Sequence, residues 1–152
     1  DLDDFGIPTL HALVRANNYL RKRKVKNKIS LIISGGLNVP GDFLKALALG
    51  ADAIYIGTAI IYAINPNQFL KPLPWEPPSQ TIWSTGSARH QFDVEKGAES
   101  GYNFLHASAE EMRVALRAMG KTSLKQLSLS DLTSYDETVA KMAHIDFSFQ
   151  SK

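Results

Sequence analysis

The chain has 152 residues, 44% apolar and 21% charged, with a formal net charge of +2; this is one globular domain's worth of sequence, long enough to bury a core. It contains no cysteine, which excludes disulfides, thiolate metal sites, cysteine-ligated iron–sulfur clusters and a cysteine nucleophile among these residues. So small a net charge is no argument for nucleic acid, and no run of about 18 apolar residues is present to span a bilayer. The expected location is the cytoplasm, with a membrane anchor upstream of Asp1 left open.

Asp1 to Asp4 carry no start signal, so the chain is expected to be a piece of something longer. Residues 8–24 read as a helix: Leu10, Leu13, Val14 and Leu20 fall near one face, and Pro8 suits the first turn. The basic run from Arg21 to Lys24, with Lys26 and Lys28, has no aromatic or glycine-rich element beside it. It reads as solvated cations at a helix C-terminus, favourable with the dipole, rather than as a nucleic-acid patch.

Two strand-to-helix turns follow. Residues 29–33 are a short β-branched run that stops at Ser34, Gly35, Gly36 and Leu37; residues 52–56 are a second, stopping at Gly57 and Thr58. Residues 40–49 between them read as a helix ended by Gly50. The expected unit is βαβ, with parallel strands and a right-handed crossover. Glycine at a strand's carboxyl end lets backbone amides approach a ligand, and a following helix N-terminus adds unpaired N–H groups. One glycine turn alone often serves only chain reversal. Two in consecutive units point to a shared phosphate, held by the amides of Gly35, Gly36, Leu37, Gly57 and Thr58, with the Ser34 and Thr58 hydroxyls in support.

Residues 1–64 thus form a segment with phosphate-binding turns, and residues 65–94 form a proline-rich surface excursion. Pro66, Pro72, Pro74, Pro77 and Pro78 forbid a helix interior or central strand there. Trp75, Trp83 and Phe92 are the aromatics expected to anchor it. Residues 95–152 hold a long helix over 95–119, ended by Gly120, and a tail of short helical pieces: Ser123 precedes 124–127, and Ser130 with Asp131 precedes Leu132. Residues 147–152 are expected to fray.

Other motifs yield little. Gly120, Lys121 and Thr122 look like the end of a P-loop, but Ala115 stands where its first glycine belongs and a helix, not a strand, precedes it. His11, His90, His106 and His144 lack metal-ligand spacing. Glu110 and Glu111 read as a solvated helix face. No nucleophile–base pair stands out in local sequence, so catalytic residues stay unassigned and no metal is expected.

Three stretches together resemble a known family. Ser34 to Asn38, then Ala46 to Ala53, then Ile56 to Ala59 are similar to the last quarter of the FMN-binding barrel of glutamate synthase and its single-chain bacterial relatives. Phe5 to Thr9 resembles the segment after that family's glycine-rich loop. Glu110 to Arg113, Ala118 to Gly120, Ser123, Leu124, Leu127, Asp131 and Leu132 resemble the helix and tail that close its barrel. The resemblance implies an α/β fold: the C-terminal part of a (β/α)₈ TIM barrel, about strands 7 and 8 with flanking helices, plus a helical C-terminal extension. Barrel phosphate sites recur at the loops after those strands. Carried over by position, Ser34, Gly35, Gly36, Leu37, Gly57 and Thr58 would hold the FMN phosphate. In that family the flavin reduces an imine made from 2-oxoglutarate and ammonia, giving glutamate.

This chain departs from the family in two respects. It would begin after the sixth strand, so most contacts to the flavin ring and substrate would lie outside it. The family's iron–sulfur cysteines have no counterpart in residues 62–75, so no cluster is expected. The leading reading is part of an FMN oxidoreductase. The alternatives are a non-catalytic interaction fragment, or a barrel enzyme that binds a phosphorylated substrate without flavin. Two parallel strands cannot close a barrel, so the chain is expected to pair with a missing N-terminal part or to self-associate.

Overall fold

A computed structural model describes residues 6–65 and 84–149. They fall into two compact units, residues 1–55 with 112–152 and residues 56–111.

The first unit begins with helix α1 (Thr9–Lys22). Pro8 is its N-cap rather than a first-turn residue: at φ −52° and ψ 139° it is still extended, as a residue flanking the helix must be. Leu13 and Val14 are buried at 1% and 4% exposure, with Asn17 on the same stripe. A 3-10 turn over Lys26–Lys28 leads to strand β1 (Ile32–Ser34); helix α2 (Pro40–Ala48) and strand β2 (Ala53–Tyr55) follow. The strands pair in parallel, Ile32 with Ala53, Ile33 with Ile54 and Ser34 with Tyr55, as the βαβ reading requires. Helix α1 packs on β1 and α2 on β2. Phe43, Ala46, Ala48 and Leu49 complete the core between them.

Both strands are shorter than their apolar runs. The Leu31 amide donates to the Asp52 carboxylate at 2.7 Å, and the Asp52 amide donates to the Leu31 carbonyl at 2.8 Å. This clamp, rather than a longer ladder, opens the sheet, so Ile29 to Leu31 lie outside it. Side chains alternate across a strand, and the consequence is visible on the sheet. Ile33 and Ile54 are half-buried, whereas Ile32 is 44% and Tyr55 63% exposed. Parallel sheets are normally covered on both faces; here one face carries large exposed apolar side chains.

Helix α4 (Val94–Ala118) enters this unit at Met112 and buries Leu116. Four helices end in one way. Lys24, Gly50, Gly120 and His144 each have φ between +56° and +106°. The next residue's amide reaches back to the carbonyl of Leu20, Ala46, Leu116 or Ala140 respectively, at 2.8–3.1 Å. This is the Schellman closure, which satisfies carbonyls that would otherwise be orphaned.

The tail differs from the expected run of helical pieces. Ser123 with Gln126, and Ser128 with Asp131, cap two 3-10 turns (Leu124–Gln126 and Leu129–Asp131), so Asp131 ends a turn instead of opening one before Leu132. Lys121 pairs with Asp131 at 3.1 Å. Strand β3 (Thr133–Ser134), helix α5 (Glu137–Ala143) and strand β4 (Asp146–Phe147) then form a second small parallel βαβ unit, with α5 against α1. Phe147 is therefore paired with Ser134 rather than frayed, and the extension is not purely helical.

In the second unit, helix α3 (Thr58–Ile64) lies against α4 at Gly101, where a Cβ would stand 3.1 Å from Ile64. The Phe92 ring lies over Gly97, at the start of α4. Residues 66–83, with Trp75, Trp83 and all five prolines of the excursion, lie outside the described residues. No helix among the described residues is long and apolar enough to cross a membrane.

Candidate functional site

Ser34 ends β1 and is paired in register with Tyr55, so the two parallel strands finish side by side. The chain leaves β1 through Gly35 at φ +114° and Gly36 at φ +66°. Backbone at two consecutive positive-φ positions is open to glycine and rarely adopted by other residues, which is why both positions are glycine. Among the described residues the amides of Gly36 and Leu37 donate no hydrogen bond, while the Gly35 amide lies at the end of the β1–β2 ladder beside Tyr55.

The two glycines serve different purposes. A Cβ on Gly35 would stand 2.9 Å from Thr9 Oγ1, so this glycine lets the turn lie against the first residue of α1. A Cβ on Gly36 would meet nothing within 4 Å, so its exposed backbone faces open space. Leu37, buried at 5%, roots the turn in the core. Asn38 Nδ2 donates to the Gly36 carbonyl at 3.3 Å, and the Asn38 amide donates to Asp42 in the first turn of α2, also at 3.3 Å. These two side chains lock the turn from behind while leaving the Gly36 and Leu37 amides free.

Gly57 and Thr58 belong to the second unit. Gly57 is the N-cap of α3, is exposed, and has open space at its Cβ position. Thr58, also exposed, is the first residue of that helix. All six expected residues thus sit at the carboxyl ends of strands, in two turns. Thr9, Asn38 and Asp42 were not among the expected site residues. An Asn two positions after a glycine turn, followed four residues later by Asp, is the local signal for Asn38 and Asp42; nothing local marks Thr9.

Other groups have structural employment. Lys121 bonds the Gln126 carbonyl at 2.9 Å as well as Asp131, in keeping with rejection of the P-loop. Lys26 of the basic cluster pairs with Asp52 at 2.6 Å. His106 stacks on Tyr102 at 5.7 Å, His90 accepts from Arg89 at 2.9 Å, and His144 closes α5. Among the described residues no three metal-ligating side chains cluster.

Residues 2–122 match the family described as the conserved region in glutamate synthase. The chain is 33% identical over 129 residues to an archaeal glutamate synthase (NADPH) of Methanocaldococcus jannaschii, covering 82% of this chain and 24% of that protein. It is 29% identical over 164 aligned positions to a glutamate synthase large subunit-like protein of Rhizobium meliloti, covering 95% of this chain and 36% of that one. A shorter stretch of 53 residues is 40% identical to an inosine-5'-monophosphate dehydrogenase of Korarchaeum cryptofilum, covering 35% of this chain and 11% of the enzyme. The chain therefore spans about a quarter to a third of the length of its glutamate synthase relatives. No solved structure matches it.

Proposed function

The chain belongs to the glutamate synthase family, and on that premise we propose that it supplies the phosphate-binding part of an FMN-dependent oxidoreductase built on a (β/α)₈ barrel. Ser34, Gly35, Gly36, Leu37, Gly57 and Thr58 hold the phosphate of FMN. The observation that carries this reading is the turn after β1: two consecutive free amides, at Gly36 and Leu37, behind two glycines of positive φ, with open space at Gly36.

The residues present fit such a group. An FMN phosphate needs short contacts from backbone N–H groups and room for its oxygens; a Cβ at Gly36 or Gly57 would take up that room. The protein's part is to bind and orient. Gly35, Gly36 and Leu37 donate amides to phosphate oxygens, the Ser34 and Thr58 hydroxyls add donors, and Asn38 and Asp42 hold the loop in shape before the cofactor arrives. Bound FMN supplies the hydride and electron chemistry. Of the reactions open to such a flavoprotein, reduction of the imine of 2-oxoglutarate to glutamate is the one its relatives' names support. The short likeness to an enzyme acting on a nucleoside 5'-monophosphate supports the phosphate end of the reading, because FMN presents a 5'-phosphate as well.

The exposed face of the β1–β2 sheet supports the barrel. Ile32 and Tyr55 lie on the face opposite Ile33 and Ile54, and in a (β/α)₈ barrel that inner face is filled by side chains of neighbouring strands. The remaining strands of the full-length protein cover it.

The test is the absorbance spectrum of purified full-length protein. A flavin band, released as FMN on denaturation and missing from Gly36→Val, is the expected result. A colourless wild-type protein, or a variant that retains full flavin content, overturns the assignment.

A further inference from the structure

A cavity of about 210 Å³ lies wholly within the first unit, and no residue of the glycine turn lines it. Leu10, Val14, Leu49, Val139, Met142 and Ile145 form its apolar lining. These are aliphatic or thioether side chains, with no aromatic ring among them. Such a lining favours a flexible saturated chain, and Met adapts to its contour.

The polar groups on the lining are few and unequal. The Thr133 hydroxyl bonds the Asp146 carbonyl and Ser148, and the Ser134 hydroxyl accepts the Asp136 amide, which leaves only its single O–H to donate. His11 and Lys45 remain. The His11 imidazole makes no hydrogen bond among the described residues. Lys45 meets Asp42 only at 3.5 Å, in an exposed pair, which leaves ammonium donors for another partner. Among the described residues no carboxylate lines the cavity. It therefore combines an aliphatic interior with a cation and an unpartnered imidazole.

We propose that this cavity binds a medium-chain aliphatic monocarboxylate, its tail among Val14, Leu49, Val139 and Met142 and its carboxylate at Lys45, with the His11 imidazole as a further donor. A dry cavity of about 150 Å³ accommodates benzene, so this volume suits a chain of about six to eight carbons. The wall from Leu132 to Ile145 lies beyond the family match, which ends at residue 122. The opposite wall, with His11 and Lys45, comes from α1 and α2 within that match, and the proposal does not depend on the flavin reading.

Isothermal titration of the full-length protein with butanoate, hexanoate, octanoate and octan-1-ol tests the proposal. Affinity rises about fourfold per added methylene, the fold-change that methylene burial gives, until the cavity is full. Lys45→Met weakens octanoate binding about tenfold or more and leaves octan-1-ol unchanged, as loss of a charge-assisted contact requires. Val139→Trp fills the cavity and abolishes binding of both. If that variant fails to fold, the wild-type series and Lys45→Met still decide. Affinity independent of chain length, octan-1-ol binding as tightly as octanoate, or octanoate binding indifferent to Lys45→Met each overturns the proposal.

Discussion

The buried side chain of Asn17 in α1 donates from Nδ2 to the carbonyl of Leu49 at 2.9 Å, tying the first helix to the end of the second across 32 residues. Leu49 is the C-cap of α2, so its carbonyl has no partner within the helix. Gly50 follows at φ +106°, and any Cβ there would overlap the Asn17 amide group. One contact thus explains a buried polar residue on an otherwise apolar stripe and the glycine beside it.

Asn17→Ala is expected to destabilise by about 1–3 kcal/mol, the usual consequence of leaving a buried acceptor unpaired. Gly50→Ala is expected to cost more than about 1 kcal/mol from its left-handed backbone alone, and more again from the clash. Because Asn17→Ala removes the group that is struck, the double variant should be more stable than the sum of the two predicts. Urea denaturation of the three variants measures this; strict additivity would contradict the shared contact.

Asp52 governs a pH dependence at the other end of the sheet. The Lys26 ammonium bonded to its carboxylate, followed by the Leu31 amide, holds its pKa below the ordinary 3.8. A carboxylate depressed in the folded state contributes stability that is fully present above the unfolded value and disappears as pH falls through the folded one. The chain should therefore lose this contribution in acid below about pH 4. The side chain is 45% exposed, and solvent screening limits the contribution to about 0.2–1 kcal/mol. Asp52→Asn should flatten the acid limb of stability against pH; an unchanged limb would exclude the clamp.

Much of this architecture is legible in the residues. Leu13, Val14 and Leu20 announce α1, Gly50 and Gly120 announce two helix ends, and the paired apolar runs announce the parallel strands. Strand length is not legible, because the Asp52 side chain takes the Leu31 amide that a longer ladder would use. The β3–α5–β4 unit escapes notice because two-residue strands carry no alternation. Thr133 Oγ1 steadies them through the Asp146 carbonyl and Ser148, contacts that no spacing reveals. In the candidate site, both glycine turns can be read from sequence. Thr9 cannot, since only the packing of α1 against the turn after β1 brings it to Gly35.

Lys24 and His144 are non-glycine residues at left-handed positions of the Schellman closures, at φ +57° and +56°. Left-handed backbone strains a side chain that glycine lacks. Lys24→Gly and His144→Gly should each stabilise by about 0.5–1 kcal/mol, seen as a raised Tm by calorimetry. A lowered Tm for both would show that the side chains make compensating contacts.

The exposed Ile32 and Tyr55 face predicts association. The isolated 152-residue chain should self-associate in a concentration-dependent way, and Ile32→Lys with Tyr55→Lys should shift it toward monomer, since charges oppose burial of that face. Sedimentation velocity over a wide concentration range checks this. A wild-type chain that stays a cooperatively folded monomer throughout would contradict the barrel reading as well.

The phosphate site is tested most directly by the preference of full-length protein for FMN over riboflavin, which differ only in the phosphate. Several charge-assisted bonds from Gly35, Gly36 and Leu37, with Ser34, Gly57 and Thr58, should favour FMN by about a hundredfold or more. Gly36→Val should reduce that preference to near unity while leaving riboflavin affinity unchanged. Equal binding of FMN and riboflavin by the wild-type protein, or a preference that survives Gly36→Val, would contradict the account.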